Sequence, residues 1–182
     1  MFTQKPSHRK GFTLIELLVV IAILGILMAM TLGISSKVTE GSNKANASSQ
    51  LNNLAQALEQ YKLKVGDYPH ATPIGTGASE TLFEAMMGWY IYSGGWTTCN
   101  ATQANVLGTF IDPRNFKNNN ATYDVNATAA PAAGDYLIDP WGNAYVYKYN
   151  SGATGDLTFT LYSYGPDGAD GGVDDISSDM KH

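Results

Sequence analysis

Polarity changes in four steps along the chain. Residues 1 to 11 are polar and basic, 12 to 34 apolar, and 35 to 65 amphipathic; the rest is rich in Gly, Tyr, Asn, Ala and Thr. From Phe12 to Ile34 every residue is apolar or Gly except Thr13, Glu16 and Thr31. As a helix, these 23 residues rise about 34 Å, enough for a hydrocarbon core of roughly 30 Å. Lys5, His8, Arg9 and Lys10 flank the N-terminal side, whereas Lys37 is the only base near the other end. Positive charge stays on the cytoplasmic side, which predicts a single-pass orientation with the C-terminal body outside. A secretory signal would end in a small-residue cleavage site beyond a shorter apolar run; here a Gly11-Phe12 junction precedes the run.

Ser35 to Val65 contains no Pro, and Leu51, Leu54, Leu58, Tyr61 and Val65 recur at helical spacing. This predicts an amphipathic helix packed on the core of its own domain. Gly66-Asp67-Tyr68-Pro69 supplies the stop, with Gly at the C-terminal side and Pro shortly after. Joined to the apolar run it predicts one helix of about 53 residues, or about 80 Å. Glu80 to Tyr92 reads as a short helix. Ala101 to Ala133, with its Asn118-Asn119-Asn120 run and Pro131, reads as a loop-rich excursion. Trp89, Tyr92, Trp96 and Cys99 read as core or interface residues rather than a binding surface.

Asp139-Pro140-Trp141-Gly142-Asn143 is a turn sequence. Ala144 to Tyr149 and Leu157 to Tyr164 follow as alternating, aromatic and β-branched runs, which predicts an antiparallel hairpin. So small a sheet needs the helix face to bury against. The expected fold is therefore α+β, a long N-terminal helix packed on a small antiparallel sheet, with 1–11 a leader, 12–34 the membrane and assembly helix and 35–182 the globular body.

Charge and composition narrow the function classes. Eleven Lys and Arg stand against 16 Asp and Glu, and three of those bases lie in the leader. An acidic body without clustered bases argues against a nucleic-acid partner. Cys99 is the only cysteine, so no intramolecular disulfide can form. The histidines, His8, His70 and His182, are scattered, and no P-loop, zinc-spaced set or dinucleotide fingerprint occurs. Glu16 is the one ionisable residue in the apolar run. Such residues are usually functional, although a plain anchor whose carboxylate snorkels to the headgroups accounts for it equally. Cleavage after Gly11 would place a new α-amino group, on Phe12, one turn away or on a neighbouring subunit.

Gly11-Phe12-Thr13-Leu14-Ile15-Glu16-Leu17-Leu18-Val19-Val20-Ile21 resembles the cleavage and methylation motif of type IV prepilins and pseudopilins. The resemblance implies that a prepilin peptidase cuts between Gly11 and Phe12 and methylates the new terminus. It further implies that Glu16 pairs with a neighbour's N-terminus as the subunits polymerise. Many members of that family carry a Pro where this chain has Gly33, so any local melting of the helix here would depend on Gly25 and Gly33.

Gly165 to Ile176 packs four carboxylates and four glycines into twelve residues. Asp and backbone carbonyls suit Ca²⁺, yet the spacing is not that of an EF-hand, and a solvated acidic terminus explains the same composition. The Asp139–Asn143 turn, Leu161-Tyr162-Ser163-Tyr164-Gly165-Pro166-Asp167-Gly168 and the Asp174-Asp175-Ile176 element together resemble the C-terminal signature of the major pseudopilin family of type II secretion systems, general secretion pathway protein G. That resemblance implies a bound calcium in place of a disulfide, with Asp167, Asp174 and Asp175 as side-chain ligands and carbonyls around Tyr164 and Val173. Asp170 stands where the family is variable, and the stretch from about 70 to 135 is longer than the family leads one to expect. The implied partners are further copies of the chain in a homopolymeric filament, the minor pseudopilins and inner-membrane secretion platform, the prepilin peptidase and the membrane. A type IV pilin for adhesion or motility, or a membrane-tethered binding module or enzyme built on residues 70 to 135, are the alternatives.

Overall fold

The structure is a computed structural model. It describes residues 12–32, 35–70, 76–92, 96–98, 104, 107–120, 130–151 and 157–178. The chain divides into two compact units, Met1–Gly41 and Ser42–His182.

The first unit is dominated by helix α1, Leu14–Leu32. Every residue from Phe12 to Met30 is exposed, so beyond Glu16 an apolar cylinder faces outward on all sides. The helix runs unbroken through Gly25; Gly33 and the leader, Gly11 included, lie outside the described residues. Among the described residues, no helix is long and apolar enough to cross a membrane. The 19 residues of α1 rise about 28 Å, just short of the hydrocarbon core, and the expected run to Ile34 and its continuity into the next helix fall on residues not described.

Helix α2, Ser35–Val65, carries the predicted stripe. Ala47, Leu51, Leu54, Ala55, Leu58 and Tyr61 are all buried, the spacing of one helical face. The helix stops where the sequence places the stop, with Gly66 at φ +102° and its N–H on the Lys62 carbonyl at 2.8 Å.

Helix α3 differs from expectation. It spans Thr76–Met86 rather than Glu80 to Tyr92, and Tyr90–Tyr92 forms strand β1. The cause is Gly88, whose φ of +79° ends the helix as the Trp89 N–H reaches back to the Glu84 carbonyl at 2.8 Å. The Tyr-Ile-Tyr triplet that follows favours extended backbone and pairs with β2, Trp96–Thr98. Trp89 is buried, as expected of a core residue; the Tyr92 and Trp96 side chains and Cys99 lie outside the described set.

In the expected loop-rich excursion, Pro113–Asn115 forms a 3-10 turn capped by Asp112. Strand β3, Lys117–Asn118, pairs with β4, Leu137–Ile138. The predicted hairpin is present as β5, Val146–Ser151, and β6, Leu157–Ser163, in antiparallel register with Tyr147 opposite Leu161 and Tyr149 opposite Phe159. It starts two residues later than expected, because Ala144 is used in an isolated bridge to Ile138. A third strand, β7, Ile176–Ser177, pairs with β6, giving the order β5-β6-β7.

Tyr145, Tyr147, Phe159 and Leu161 join the α2 stripe and Leu82, Phe83 and Met86 of α3 in one core. Tyrosine hydroxyls satisfy buried polar groups at its edge. Tyr145 donates to the Gln50 side-chain oxygen, Tyr61 to the Tyr90 carbonyl, and Tyr147 to the Pro69 carbonyl at 2.8 Å. Tyr68 packs edge-on against Phe159 at 4.9 Å and donates to Glu59 at 2.6 Å.

Candidate functional site

Two places carry the sequence-predicted residues. At the start of α1, the Glu16 carboxylate accepts from the Thr13 N–H at 2.9 Å and from the Thr13 hydroxyl at 2.8 Å, while the Glu16 N–H points to Thr13 Oγ1 at 3.3 Å. Thr13-Leu14-Ile15-Glu16 is thus a capping box, which satisfies N–H groups that a helix start leaves orphaned. This local partner is distinct from the Phe12 amine considered from the sequence, although a Thr three residues before a Glu ahead of an apolar run is its sequence signature. Glu16 remains exposed, as does Phe12, at 80%.

The second place is the acidic segment between β6 and β7. Gly165–Asp167 forms a 3-10 turn followed by left-handed Gly168. The Asp167 carboxylate accepts from the Ala169 N–H at 2.9 Å, and the Asp174 carboxylate from the Asp167 N–H at 3.3 Å. The Asp175 carboxylate accepts from the Gly171 N–H at 2.9 Å through one oxygen; its other oxygen is buried with no hydrogen-bond partner. A Cβ on Gly172 would lie 2.5 Å from one Asp174 oxygen and 3.3 Å from an Asp167 oxygen, so two carboxylates converge on one glycine. Tyr164 precedes the turn, its ring edge-on to Tyr162 at 5.7 Å; Val173 is fully exposed. Asp170 is turned away, accepting from the Tyr162 hydroxyl at 2.9 Å. That hydroxyl also accepts from Lys148 at 2.8 Å.

Because β7 returns to the sheet and the Ser178 N–H bonds the Leu161 carbonyl at 3.1 Å, residues 165–175 are a loop tied at both ends and not a free terminus. Among the described residues, no group of three or more His, Cys, Asp or Glu is arranged to hold a metal. The local chemistry nevertheless fits a hard cation: the donors are all oxygen, two carboxylates meet beside a residue without a side chain, and a third has a buried oxygen left unsatisfied.

Sequence reasoning missed the support beneath this loop. Asp139, only 1% exposed, accepts through one oxygen from the N–H groups of Trp141 at 3.0 Å and Asn143 at 2.8 Å. Its other oxygen accepts from the Ser163 hydroxyl at 2.6 Å. Ser163 Oγ accepts from the Gly165 N–H at 3.0 Å, and the Asn143 side-chain amide donates to the Gly165 carbonyl at 2.9 Å. The sequence marked 139–143 as a turn, but nothing in it pointed to partners more than 20 residues away.

A helix that is apolar on every face, opened by a Thr-x-x-Glu box and followed by a helix-on-sheet body, defines the pilin-like class. Comparison with known proteins narrows this further. The family described as "Prokaryotic N-terminal methylation motif" matches residues 6–32, and that described as "Type II secretion system (T2SS), protein G" matches residues 35–75 and 116–180. The chain is 30% identical to the type II secretion system core protein G of Pseudomonas aeruginosa, over 92% of this chain and 90% of that protein. It is 29% identical to the protein of the same name from Escherichia coli K12, over 94% and 92% respectively, and equally to that of Pectobacterium carotovorum, over 97% and 88%. No solved structure matches. The chain belongs to the type II secretion system protein G family. The body match leaves out residues 76–115, which hold α3, β1 and β2 and account for the long middle of the chain.

Proposed function

We propose that the chain is a structural subunit of a type II secretion pseudopilus, held in the inner membrane by residues 12–34 with its body in the periplasm. Its work is assembly rather than catalysis. The observation that carries this is the exposed apolar helix opened by Glu16, in a chain matched at both ends by prepilin-type and protein G families. Such a surface is stable only under lipid or against neighbouring helices. Before assembly lipid covers it; in a filament other copies do, alongside the minor pseudopilins and the secretion platform. Prepilin peptidase cuts after Gly11, so the mature chain begins at Phe12 with a methylated amine, and Glu16 faces the amine of a neighbour.

The capping box makes the charge role of Glu16 separable from its helix role. Gln preserves the box but carries no charge, whereas Ala loses both. Glu16→Gln and Glu16→Ala are therefore expected to insert and to be processed to a Phe12 start, and both to lose most filament and secreted protein. Intact mass, sheared-filament yield and secretion in a deletion strain read this out. Wild-type filament yield from Glu16→Gln would leave Glu16 with a capping role alone, and loss of surface pili with intact secretion would point to a motility or adhesion pilin.

We also propose that Asp167, Asp174 and Asp175, with carbonyls of Tyr164 and Val173, hold one Ca²⁺. When bound, the ion supplies positive charge that cancels carboxylate repulsion and pins the loop in a chain with no disulfide. Full-length protein in detergent is expected to melt higher in calcium than in chelator, by about 2.7 kcal/mol of stability at a hundredfold excess over the dissociation constant. Magnesium should substitute poorly, since it demands a tighter octahedral shell. Asp174→Ala is expected to melt in calcium as the wild type does in chelator; superimposable wild-type curves in the two buffers would remove the cation from the account.

A further inference from the structure

Asp139 is buried and takes no part in the Asp67–His70 and Asp112–Arg114 ion pairs. A buried carboxylate without a countercharge is expensive; three donors offset that here, two from its own turn and one from Ser163. Beyond them the chain of bonds leads in one direction. Ser163 takes the Gly165 N–H and Asn143 takes the Gly165 carbonyl, so both backbone groups of one residue are fixed from the 139–143 turn. Gly165 is in turn in close contact with Asp174: a Cβ placed on it would stand 2.5 Å from the Asp174 carbonyl oxygen and 3.2 Å from an Asp174 carboxylate oxygen. Asn143 also reaches the far side of the turn, its side-chain oxygen lying 3.1 Å from where a Cβ on Gly168 would be.

We infer that Asp139 is the positioning residue of the acidic loop. Through Ser163 and Asn143 it fixes Gly165, and so fixes where the Asp174 and Asp167 carboxylates meet. This rests on the proposal that the loop holds calcium. The polarity of the relay is what matters: Gly165 N–H donates to Ser163, and the Ser163 hydroxyl can then donate only onward, to an acceptor. Asn at 139 with its amide nitrogen toward Ser163 would present a donor there, leaving the Ser163 proton without its acceptor and releasing the Gly165 end.

The test is calcium titration by calorimetry on the full chain in detergent, paired with melting curves in chelator. Asp139→Asn is expected to weaken calcium binding at least tenfold. Asn143→Ala, at a half-buried position that threatens the fold less, should weaken it severalfold. Asp112→Asn, at an exposed carboxylate paired with Arg114, should leave it unchanged. A purely structural Asp139 would lower the melting temperature equally in calcium and chelator and leave affinity intact. Wild-type affinity in both Asp139→Asn and Asn143→Ala overturns the positioning role while the calcium site stands; a wild type that binds no calcium overturns both.

Discussion

Raising the pH above 10 is expected to unfold the body in one cooperative step, with phenolate absorbance appearing as circular dichroism is lost. Tyr68, Tyr145 and Tyr147 are each no more than 1% exposed, and all three hydroxyls are pushed above the ordinary tyrosine range, chiefly by burial. The bond to Glu59 adds to this for Tyr68 and the negative charge of Asp139 for Tyr145. The sign follows from the raised folded values. Their contribution is complete below the unfolded pKa of about 10 and is lost as pH climbs toward the folded ones, because the unfolded chain releases protons that the folded chain retains. Each such tyrosine removes about 1.4 kcal/mol per pH unit, so three remove about 4 kcal/mol per unit. Two pH units therefore remove about 8 kcal/mol, enough to unfold a domain in the lower half of the typical 5–15 kcal/mol range. Tyr147→Phe should make the alkaline transition less steep by about a third. Gradual phenolate absorbance near pH 10 with intact dichroism would show that these hydroxyls are open to solvent.

What could be seen in the sequence was whatever is set by near neighbours in the chain. The α2 stripe, the Gly66 stop and the β5–β6 hairpin depend on periodicity and on turn residues within a few positions, and each is present with at most two residues of displacement; the apolar run is helical over Leu14–Leu32, and its expected end falls outside the described residues. The misplaced end of α3 combines a local stop, left-handed Gly88, with a contact that is not local. Met86, Met87 and Tyr90 look helical by polarity, but Gly88 lies against the Gly108 backbone, twenty residues on. The tail divides in the same way. Its carboxylates and glycines were plain, whereas the pairing of Ile176 with Ser163, and the bond from Ser163 to Asp139, join segments whose meeting no local pattern encodes. Glu16 is the opposite lesson: its Thr13 partner is three residues away and neutral, legible as a capping box but not as a charge pair.

Two alanine substitutions of the same chemistry should therefore have different consequences. At Gly88 a Cβ would stand 2.3 Å from the Gly108 carbonyl oxygen, backbone against backbone inside the body, at φ +79°. Left-handed strain of about 1–2 kcal/mol adds to overpacking of about 1–3 kcal/mol, so Gly88→Ala is expected to lower stability by about 3 kcal/mol or more, equally in calcium and in chelator. At Gly165, with φ +70°, the Cβ would stand 2.5 Å from the Asp174 carbonyl oxygen. Here the obstructing backbone belongs to a half-exposed loop that can move aside, so in chelator the loss should be close to the strain alone, about 1–2 kcal/mol. Moving aside displaces Asp174 from Asp167, however, and the calcium-dependent rise in melting temperature should vanish. Melting both variants in both buffers separates the cases. A Gly88→Ala protein as stable as wild type would mean that the α3 exit and the Gly108 backbone part easily. A Gly165→Ala protein with the full calcium shift would mean that Gly165 does not set the loop.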